Sequence, residues 1–562
     1  MNEHPAQNGT VAPDGDTGRR EHADLIVRGR ILTLDAFRPR ARALAVRAGR
    51  IVAIGEPDDV ADLRGPRTHV IDAGDGCVLP GFVEAHGHFI GDGLMHAGAL
   101  VDIRPVRIPD AGQVIEVIRR TVAERGETGA YFNGWDPLLQ RGLPAPTLSW
   151  LDGIAPETPL IILHDSGHSA YVNSVAMRRA GLSRYTPDPP GGHLGRTPDG
   201  ELDGSAHGPS AVARVMAHLS GLVTAPLFTE ALAAESGRVN AAGVTTMSEM
   251  GFNPVHRPWL DGAREAGALS VRLRLYEVAT PALSSQVTPG RGDDLLRQVG
   301  VKVWADGSAW VGKMAASFPY LDTPATRMIG LPPGHRALAN YTHDELDEIF
   351  QAYHDAGWQL ACHANGDVAV DLVLDVWEEL LEGRPPVAGP PMLRLEHVSA
   401  MRPDQFERAH ALGVTCSLFP DHVYYWGEVI ADDLFGIEVA ERWAPVHSAL
   451  LSGMRVSLHN DSPVTPVEPL RNIAVAATRM TRGGRLLGGY ERIGVDQALR
   501  AQTIDAAWQL HADDVTGSLE PGKYADLAVL SADPHEVAPA EIADLEVRAT
   551  FLAGRQVHGD PL

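Results

Sequence analysis

Short apolar runs alternate with amphipathic segments through the middle of the chain, and this alternation constrains the fold more than any other feature. In the clearest unit a capping box at 342–345 precedes apolar residues at helical spacing, Gly357 ends the helix, and an apolar run follows at 358–363. The same order returns at 402–418 and 444–458. Strands that alternate with helices pair in parallel, so the pattern predicts an α/β fold built on a parallel sheet.

Several of the apolar runs end at a side chain that can bind a metal ion. These side chains are His86, His88, Lys302, His363, His397 and Asp461. A closed (β/α)8 barrel, the TIM barrel, gathers its active site at the carboxyl ends of its strands, whereas an open doubly wound sheet gathers it at one switch point. Potential ligands after many different strands therefore favour the barrel.

The pair His86 and His88 is the first of these candidates. Residues i and i+2 of a strand lie on one face, so both imidazoles can reach one metal ion. A pair of this kind alone is also typical of histidines that bond to carbonyl groups or water. The later candidates at other strand ends favour the metal-binding interpretation.

Six stretches carry a resemblance to a known family: 79–88, 301–308, 363–367, 394–397, 460–463 and 517–527. In these stretches the chain resembles the amidohydrolase superfamily, and within it the metal-dependent hydrolases that include N-substituted formamide deformylases. The stretches span most of the chain. The resemblance implies a TIM barrel with a small β-sandwich domain formed from both chain termini.

The resemblance also implies two divalent ions per chain. His86 and His88 would bind the more buried ion, His363 and His397 the second, and Asp461 would complete the first site and contact the attacking water. Nitrogen and carboxylate ligands without thiolate fit zinc best, with manganese, iron or cobalt as alternatives. Asp461 is the expected general base and proton shuttle.

Lys302 occupies the fourth-strand position where the family can carry a carboxylated lysine that bridges both ions. An ammonium group cannot bind a cation, so this role requires a lowered lysine pKa. The alternative is a salt-bridged lysine. Val301 and Val303 flank it on the other strand face, which directs Lys302 into the barrel.

Four further residues are candidates for substrate binding: Trp135, His168, His422 and Tyr425. His168 is equally consistent with structural hydrogen bonding, and the aromatic residues near His422 are equally consistent with ordinary packing. Glu396 precedes His397 and so faces the other way, where a salt bridge with Arg394 or a partner in the barrel wall is expected.

The termini and the first long connection give the expected domain boundaries. Residues 1–21 are polar and predicted to be a disordered tail. Residues 22–78 and 515–562 are expected to form the β-sandwich domain, and 79–514 the barrel. An insertion at about 103–222, broken by proline and glycine, is expected to cover the active-site mouth.

Charge and cysteine content exclude several classes of partner. The net charge of −24 disfavours nucleic acid and anionic membrane, and no apolar run reaches the roughly 20 residues that span a bilayer. The three dispersed cysteines imply neither a disulfide framework nor a Cys-x-x-Cys zinc site. A cytoplasmic protein that acts on a small molecule is expected, with a homodimer as the default assembly.

Three functions remain open. The first is metal-dependent hydrolysis of a non-peptide C–N bond in a small molecule, such as an N-formyl or N-acyl amine. The second is a mononuclear deaminase, which would not need Lys302. The third is a barrel that binds a partner without catalysis, which would be expected to have lost ligands.

Overall fold

The structure is a computed structural model that describes residues 22–217, 223–279, 287–383 and 389–561. The predicted tail at 1–21, and the part of the predicted insertion at 218–222, lie outside the described residues.

Both ends of the chain meet in one mixed sheet of seven strands. The strands are β1 (Leu25–Leu32), β2 (Arg40–Arg47), β3 (Arg50–Gly55), β4 (His69–Pro80), β19 (Leu527–Leu530), β20 (Val547–Leu552) and β21 (Arg555–Gly559). Their order is β21-β20-β19-β4-β1-β2-β3, so β4 joins the two termini. Apolar side chains of all seven strands except β21 enclose a common core, as in a β-sandwich.

Eight parallel strands form the central sheet. They are β5 (Phe82–Glu84), β12 (Val244–Phe252), β13 (Arg272–Val278), β14 (Leu296–Trp304), β15 (Gln359–Ala364), β16 (Leu393–His397), β17 (Thr415–Leu418) and β18 (Val456–Leu458). Neighbours in the sheet are also consecutive along the chain, apart from the insertion after β5. This arrangement confirms the predicted (β/α)8 barrel with a terminal β-sandwich domain.

The first and last barrel strands are joined by side chains rather than by a strand ladder. The amide nitrogen of Gln502 donates to the carbonyl groups of Val83 in β5 and Leu458 in β18, at 3.1 and 3.3 Å. Further along, the backbone N–H of Asn460 donates to Glu84 at 2.8 Å. These bonds hold the segments after β5 and β18 together, which is where three of the predicted ligands lie.

The helices follow the strands in the expected alternation. Their bounds are α1 Pro57–Ala61, α2 Phe89–His96, α3 Ala111–Arg125, α4 Leu148–Ile154, α5 Ser174–Arg179, α6 Pro209–Met216, α7 Ala225–Ala241, α8 Arg257–Glu265, α9 Pro324–Met328, α10 His343–Asp355, α11 Asp367–Leu381, α12 Pro403–Ala411, α13 Asp421–Val429, α14 Ile437–Ala440, α15 Val446–Leu451, α16 Pro469–Thr478, α17 Val495–Ala501 and α18 Ile504–Gln509. The predicted capping box starts α10: Thr342 accepts from the backbone of Glu345, whose carboxylate accepts from the backbone of Thr342.

An insertion between β5 and β12 carries its own sheet of six strands. The strands are β6 (Val101–Asp102), β7 (Ala130–Trp135), β8 (Leu160–His164), β9 (Ser169–Val172), β10 (His193–Arg196) and β11 (Leu202–His207). Arg104 donates to the carbonyl of Pro463 at 2.5 Å, and Trp426 donates to Asp136 at 2.8 Å. These bonds tie the insertion to the segments that follow β18 and β17.

Within the described parts of the chain, no helix is both long and apolar enough to cross a membrane.

Candidate metal centre

The predicted metal ligands converge at the carboxyl end of the barrel. His86 and His88 follow β5, and Asp461 follows β18. Lys302 and His363 lie near the ends of β14 and β15, and His397 is the last residue of β16. Parallel register brings the fifth and sixth barrel strands together, because Ala364 pairs with His397. Metal binding by the six predicted ligands remains a prediction from the sequence.

The first group is formed by His86, His88 and Asp461. Asp461 Oδ1 lies 3.5 Å from His86 Nε2 and 3.4 Å from His88 Nε2. It accepts no hydrogen bond from the described residues. The side chain of His86 is 1% exposed and that of Asp461 14%, so the carboxylate can reach water. An unpaired buried oxygen beside two imidazoles is a fitting ligand for a cation.

A second group joins His86 to His397 and His459. His397 Nδ1 lies 3.1 Å from His459 Nε2, and the rings of His86 and His459 stack at 4.8 Å. His459 was not among the predicted ligands. The signal was present, because His459 and Asp461 are spaced i, i+2, as are His86 and His88.

His363 borders this cluster without joining either group. Its ring lies 4.6 Å from that of His397, and its Nε2 lies 3.0 Å from the Asn365 amide nitrogen. Asp306 Oδ1 is 3.5 Å from the same Nε2. Burial raises the pKa of Asp306 to about 7. Three backbone N–H groups that donate to its carboxylate act in the opposite direction and limit the rise. These contacts fix the imidazole at the edge of the centre.

A chain of polar groups orients His86. Its Nδ1 lies 2.6 Å from Glu396 Oε2, which leaves Nε2 for an ion. Arg394 donates to both oxygens of Glu396, at 2.6 and 3.0 Å, and also to the hydroxyl of Tyr276 at 3.0 Å. The Glu396 carboxylate thus pairs with Arg394 in the barrel wall, as the sequence indicated. It also orients His86, as carboxylates commonly orient histidines that bind metal.

A second chain orients His459. Gln509 donates its amide nitrogen to Thr415, so its oxygen accepts the hydroxyl proton of Ser457 at 2.5 Å. Ser457 has only this one hydroxyl proton, so in its 2.8 Å contact with Ser417 it accepts the proton of the Ser417 hydroxyl. The remaining contact, 2.8 Å between Ser417 and His459 Nδ1, is satisfied when Nδ1 carries the proton. This tautomer leaves His459 Nε2 unprotonated and available to an ion.

Electrostatics keep the imidazoles neutral. Burial, reinforced by neighbouring histidines and Lys302, lowers the pKa of His86, His397 and His459 well below the ordinary range. Burial opposes ionisation of Asp461, but the neighbouring His88 outweighs it and lowers the pKa of that carboxyl. Neutral imidazoles and an ionised carboxylate are the forms that bind a divalent metal, so the residues present fit such an ion.

Lys302 is fully buried in this cluster. Its Nζ lies 3.0 Å from His86 Nε2 and 5.4 Å from the centre of the Trp304 ring. Among the described residues no carboxylate forms a close ion pair with it, although Glu396 and Asp461 are near enough to favour its charged form. Burial lowers the pKa of Lys302 to about 8. A free amine is therefore accessible near neutral pH.

Two cavities open on the cluster. The cleft, about 250 Å3, lies on the insertion side and is lined by residues that include Met95, Leu100, Leu163 and Trp304. The aromatic pocket is much smaller, about 20 Å3, and is lined by Trp310 and His422 among others. The two cavities share Ser166, His168, His363, His397, Asp461 and Val464. Both cavities therefore border the predicted metal ligands, and the cleft is the one with room for a small molecule.

The structure brings two of the four predicted substrate-binding residues to the cavities. His168 lines both, with its ring 4.8 Å from that of His363. Burial lowers its pKa to about 4, and its Nδ1 has no hydrogen-bond partner among the described residues. His422 lines the aromatic pocket, edge-on to Trp310 at 5.1 Å. Contact with substrate remains a prediction for both.

The other two predicted residues, Trp135 and Tyr425, lie outside both cavities. Trp135 is fully buried in the core of the insertion, 5.5 Å from Trp150. Tyr425 lies on α13 and packs against Tyr424 at 4.9 Å and under the guanidinium of Arg471 at 5.1 Å. Neither lines the cleft or the aromatic pocket. Aromatic rings supply large apolar area to cores, and here packing accounts for both.

Comparison with known proteins places this geometry in a family. Over 557 residues the chain is 29% identical to the protein LONG AFTER FAR-RED 3 of Arabidopsis thaliana, covering 95% of this chain and 92% of that protein. Over 551 residues it is 28% identical to the N-substituted formamide deformylase of Arthrobacter pascens, covering 94% and 97%. Its fold is similar to that of an uncharacterized metal-dependent hydrolase from Pyrococcus horikoshii, with a TM-score of 0.70, 24% identity and coverage of 92% and 99%.

The sequence model of the amidohydrolase family matches residues 69–558, which include every barrel strand and every candidate ligand. Full-length similarity to relatives and a nearly closed barrel with His and Asp groups able to bind metal agree with that match. The chain therefore belongs to the amidohydrolase family and is a metal-dependent hydrolase that acts on carbon–nitrogen bonds.

Proposed function

We propose that this hydrolase cleaves the amide-type C–N bond of a small N-formyl or N-acyl amine. One observation carries the proposal: Asp461 Oδ1, free of hydrogen bonds among the described residues, faces the Nε2 atoms of His86 and His88 at 3.5 and 3.4 Å. The similarity to an N-substituted formamide deformylase over 94% of the chain supports the substrate class. The products would be a carboxylic acid, formic acid in the formyl case, and a free amine.

Asp461 is the proposed general base. It takes a proton from the water that attacks the carbonyl carbon and returns that proton to the leaving nitrogen as the C–N bond breaks. A bound divalent ion would acidify the water and polarise the carbonyl group. The lowered pKa of Asp461 keeps it ionised and ready to accept the proton at neutral pH. Its 14% exposure leaves room for the water.

The histidines hold the donor set in place. His86 is fixed through Glu396 at 2.6 Å and His459 through Ser417 at 2.8 Å, and both contacts occupy Nδ1. Each imidazole therefore presents Nε2 to the centre. Fixed donors cost little reorganisation when the reaction proceeds, which is the main contribution a protein makes to such a site.

Lys302 is the proposed bridge between two ions. A buried ammonium without a carboxylate partner is disfavoured, and the side chain loses its charge as the free amine. Addition of that amine to carbon dioxide forms a carbamate, with release of one proton, and gives a bidentate anion. Such a group would join the His86, His88 and Asp461 group to a second ion near His363 and His397. We propose zinc, two ions per chain, because the ligands are nitrogen and carboxylate.

The first test is the metal content of protein purified without chelator or affinity metal, measured by plasma mass spectrometry together with release of amine from N-formyl and N-acyl amines. About two ions per chain with amine release would support the proposal. One ion, with ammonia release from a ring amine instead, would favour the mononuclear deaminase. The proposal fails if protein reloaded with metal releases no amine from any member of the series.

A further inference from the structure

Asp165 is a second carboxylate in the cleft, without a hydrogen-bond partner in the described part of the chain and without a role in the proposed reaction. Asp165 directly follows strand β8 of the insertion and lines the cleft together with His86 and His88. The residue is 2% exposed, and neither carboxylate oxygen accepts a hydrogen bond from the described residues. Its backbone N–H is paired, donating to the Trp135 carbonyl at 3.1 Å. Only the side chain is left without a partner.

The nearby cation does not neutralise Asp165. Arg104 donates through Nε and Nη2 to Asp102, at 2.9 and 2.8 Å. Its Nη1 donates to the Pro463 carbonyl at 2.5 Å. All three nitrogens of the guanidinium are thus engaged, and Arg104 forms no ion pair with Asp165 among the described residues.

Asp136 shows what a structural carboxylate looks like in the same insertion. It is fully buried, and its oxygens accept from the backbone N–H groups of Leu138 and Leu139 and from the indole of Trp426, at 2.9, 3.2 and 2.8 Å. Asp165 has the same burial and none of these bonds. A buried carboxylate that serves the fold is hydrogen-bonded, so Asp165 requires another explanation.

The cleft itself indicates what would complete Asp165. Met95, Leu100 and Leu163 line the same cavity and give it an apolar wall that suits an alkyl chain. A positively charged nitrogen with N–H donors is the group that a buried carboxylate binds best. Burial and the nearby Asp136 raise the pKa of Asp165 well above its ordinary range, and a cationic ligand would restore its charge.

We propose that Asp165 binds a cationic N–H group of the substrate, such as an ammonium, and so selects amides that carry a second, positively charged nitrogen. The inference rests on the proposed function, because the amide is the bond that the metal centre would cleave. Asp165 is a specificity residue in this proposal. The cation lies on the part of the substrate away from the scissile bond, and the alkyl spacer lies against the apolar wall.

The test compares two N-formyl substrates of equal length. One is a mono-formylated alkyl diamine with a free ammonium, and the other carries a methyl group in place of that ammonium. Wild-type enzyme should favour the cationic substrate about 100-fold in kcat/KM, and Asp165→Asn should remove most of that preference while changing the neutral substrate about 3-fold or less. Asp152→Asn is the control variant, because Asp152 lies in the same insertion and its carboxylate is bonded to Ser174. This variant should keep the preference for the cationic substrate.

Binding gives a readout that does not need turnover. Titration calorimetry with an alkylamine and the uncharged alcohol of the same length should show roughly 10- to 100-fold tighter binding of the amine to wild type, lost in Asp165→Asn. The variant should also unfold at the wild-type temperature or above, because it breaks no hydrogen bond made by that side chain. A lower unfolding temperature would assign Asp165 to the fold and overturn the inference.

The two proposals fail in different ways. Equal hydrolysis of both substrates, or a preference that survives in Asp165→Asn, overturns the role of Asp165 and leaves amide hydrolysis standing. Amine-selective binding that Asp165→Asn abolishes, without hydrolysis of either substrate, supports the Asp165 site and contradicts the proposed reaction.

Discussion

Two glutamines at the amino end of the barrel have all their side-chain hydrogen bonds, whereas several polar groups that line the cleft at its carboxyl end do not. At the amino end, Gln359 accepts from Tyr276 and donates to two carbonyl groups, and Gln509 accepts from Ser457 and donates to the start of β17. At the carboxyl end, the described residues offer no hydrogen bond to Asp461 Oδ1, to His168 Nδ1 or to either oxygen of Asp165. The two glutamines link neighbouring strands, whereas the unpaired atoms at the carboxyl end are available to a ligand.

Two hydrogen-bond chains connect these ends. One runs from Gln359 through Tyr276 and Arg394 to Glu396 and so to the first metal-site histidine. The other runs from Gln509 through Ser457 and Ser417 to His459. The paired amino end therefore also orients the carboxyl end, because each chain stops at an imidazole whose second nitrogen faces the candidate metal centre.

The largest expected effect comes from the unpaired end. Asp461→Asn should lower kcat by about 10²- to 10⁴-fold on metal-loaded enzyme, because the amide cannot take a proton from water. The free energy of unfolding should stay at the wild-type value or rise, since Oδ1 accepts no hydrogen bond from the described residues. Steady-state kinetics and denaturant unfolding measure the two quantities.

A matched control for this variant is Asp344→Asn, since that carboxylate is fully exposed at the start of α10. It should leave kcat unchanged. Normal turnover by Asp461→Asn would remove the general-base role and, with it, the contrast between the two ends.

Lys302→Ala tests whether the buried amine serves the centre. We expect loss of one of about two ions per chain and a fall in kcat/KM on the order of 100-fold, because the bridging group is gone. Metal analysis of the dialysed variant, alongside kinetics, checks both. Lys523→Ala is the control, because that ammonium pairs with Glu520 in the terminal domain at 2.9 Å. A Lys302→Ala variant with full activity and both ions would contradict the bridge.

The barrel and the placement of its ligands were accessible from the sequence because they rest on local rules. The capping box at 342–345 starts α10, and apolar strands end at the residues predicted to bind metal. Closure of the barrel was not accessible in this way. It depends on Gln502, which bridges β5 and β18 across 419 and 44 residues of sequence, and no local pattern marks such a contact.

Contacts that arise only through tertiary packing were not accessible from the sequence. His459 shares the i, i+2 spacing with Asp461, but the sequence analysis takes only Asp461 as a ligand from this segment. Trp135 and Tyr425 are predicted to bind substrate, and in the structure both pack away from the cavities. An aromatic side chain in a sequence does not reveal which neighbour its ring will meet, whereas strand ends in a parallel barrel always share one face.

Gln509→Leu breaks the paired end. The change leaves the Thr415 hydroxyl, the Cys416 carbonyl and the Ser457 hydroxyl without their bonds, so the free energy of unfolding should fall by about 1–3 kcal/mol. The folded fraction should keep most of its kcat, because the substitution lies away from both cavities. Denaturant unfolding and active-site-normalised kinetics separate these effects. A variant as stable as wild type but catalytically dead would reverse the roles assigned to the two ends.

Ser417→Ala tests whether the hydrogen-bond chain orients His459, and the change we expect is the smallest of the four. Ser417 accepts the Nδ1 proton of His459, and without it the imidazole is free to rotate or to change tautomer. The affinity for metal should fall about tenfold, measured by competition with a chelator, while the free energy of unfolding changes by about 1 kcal/mol or less.

Ser457→Ala is the graded partner of Ser417→Ala, one hydrogen bond further from the centre. If the chain acts by aiming His459, Ser457→Ala lowers metal affinity less than Ser417→Ala does, although both remove one hydroxyl from the barrel interior. Equal losses of affinity from the two variants would show that neither acts through the imidazole, and the paired end would then contribute to stability alone.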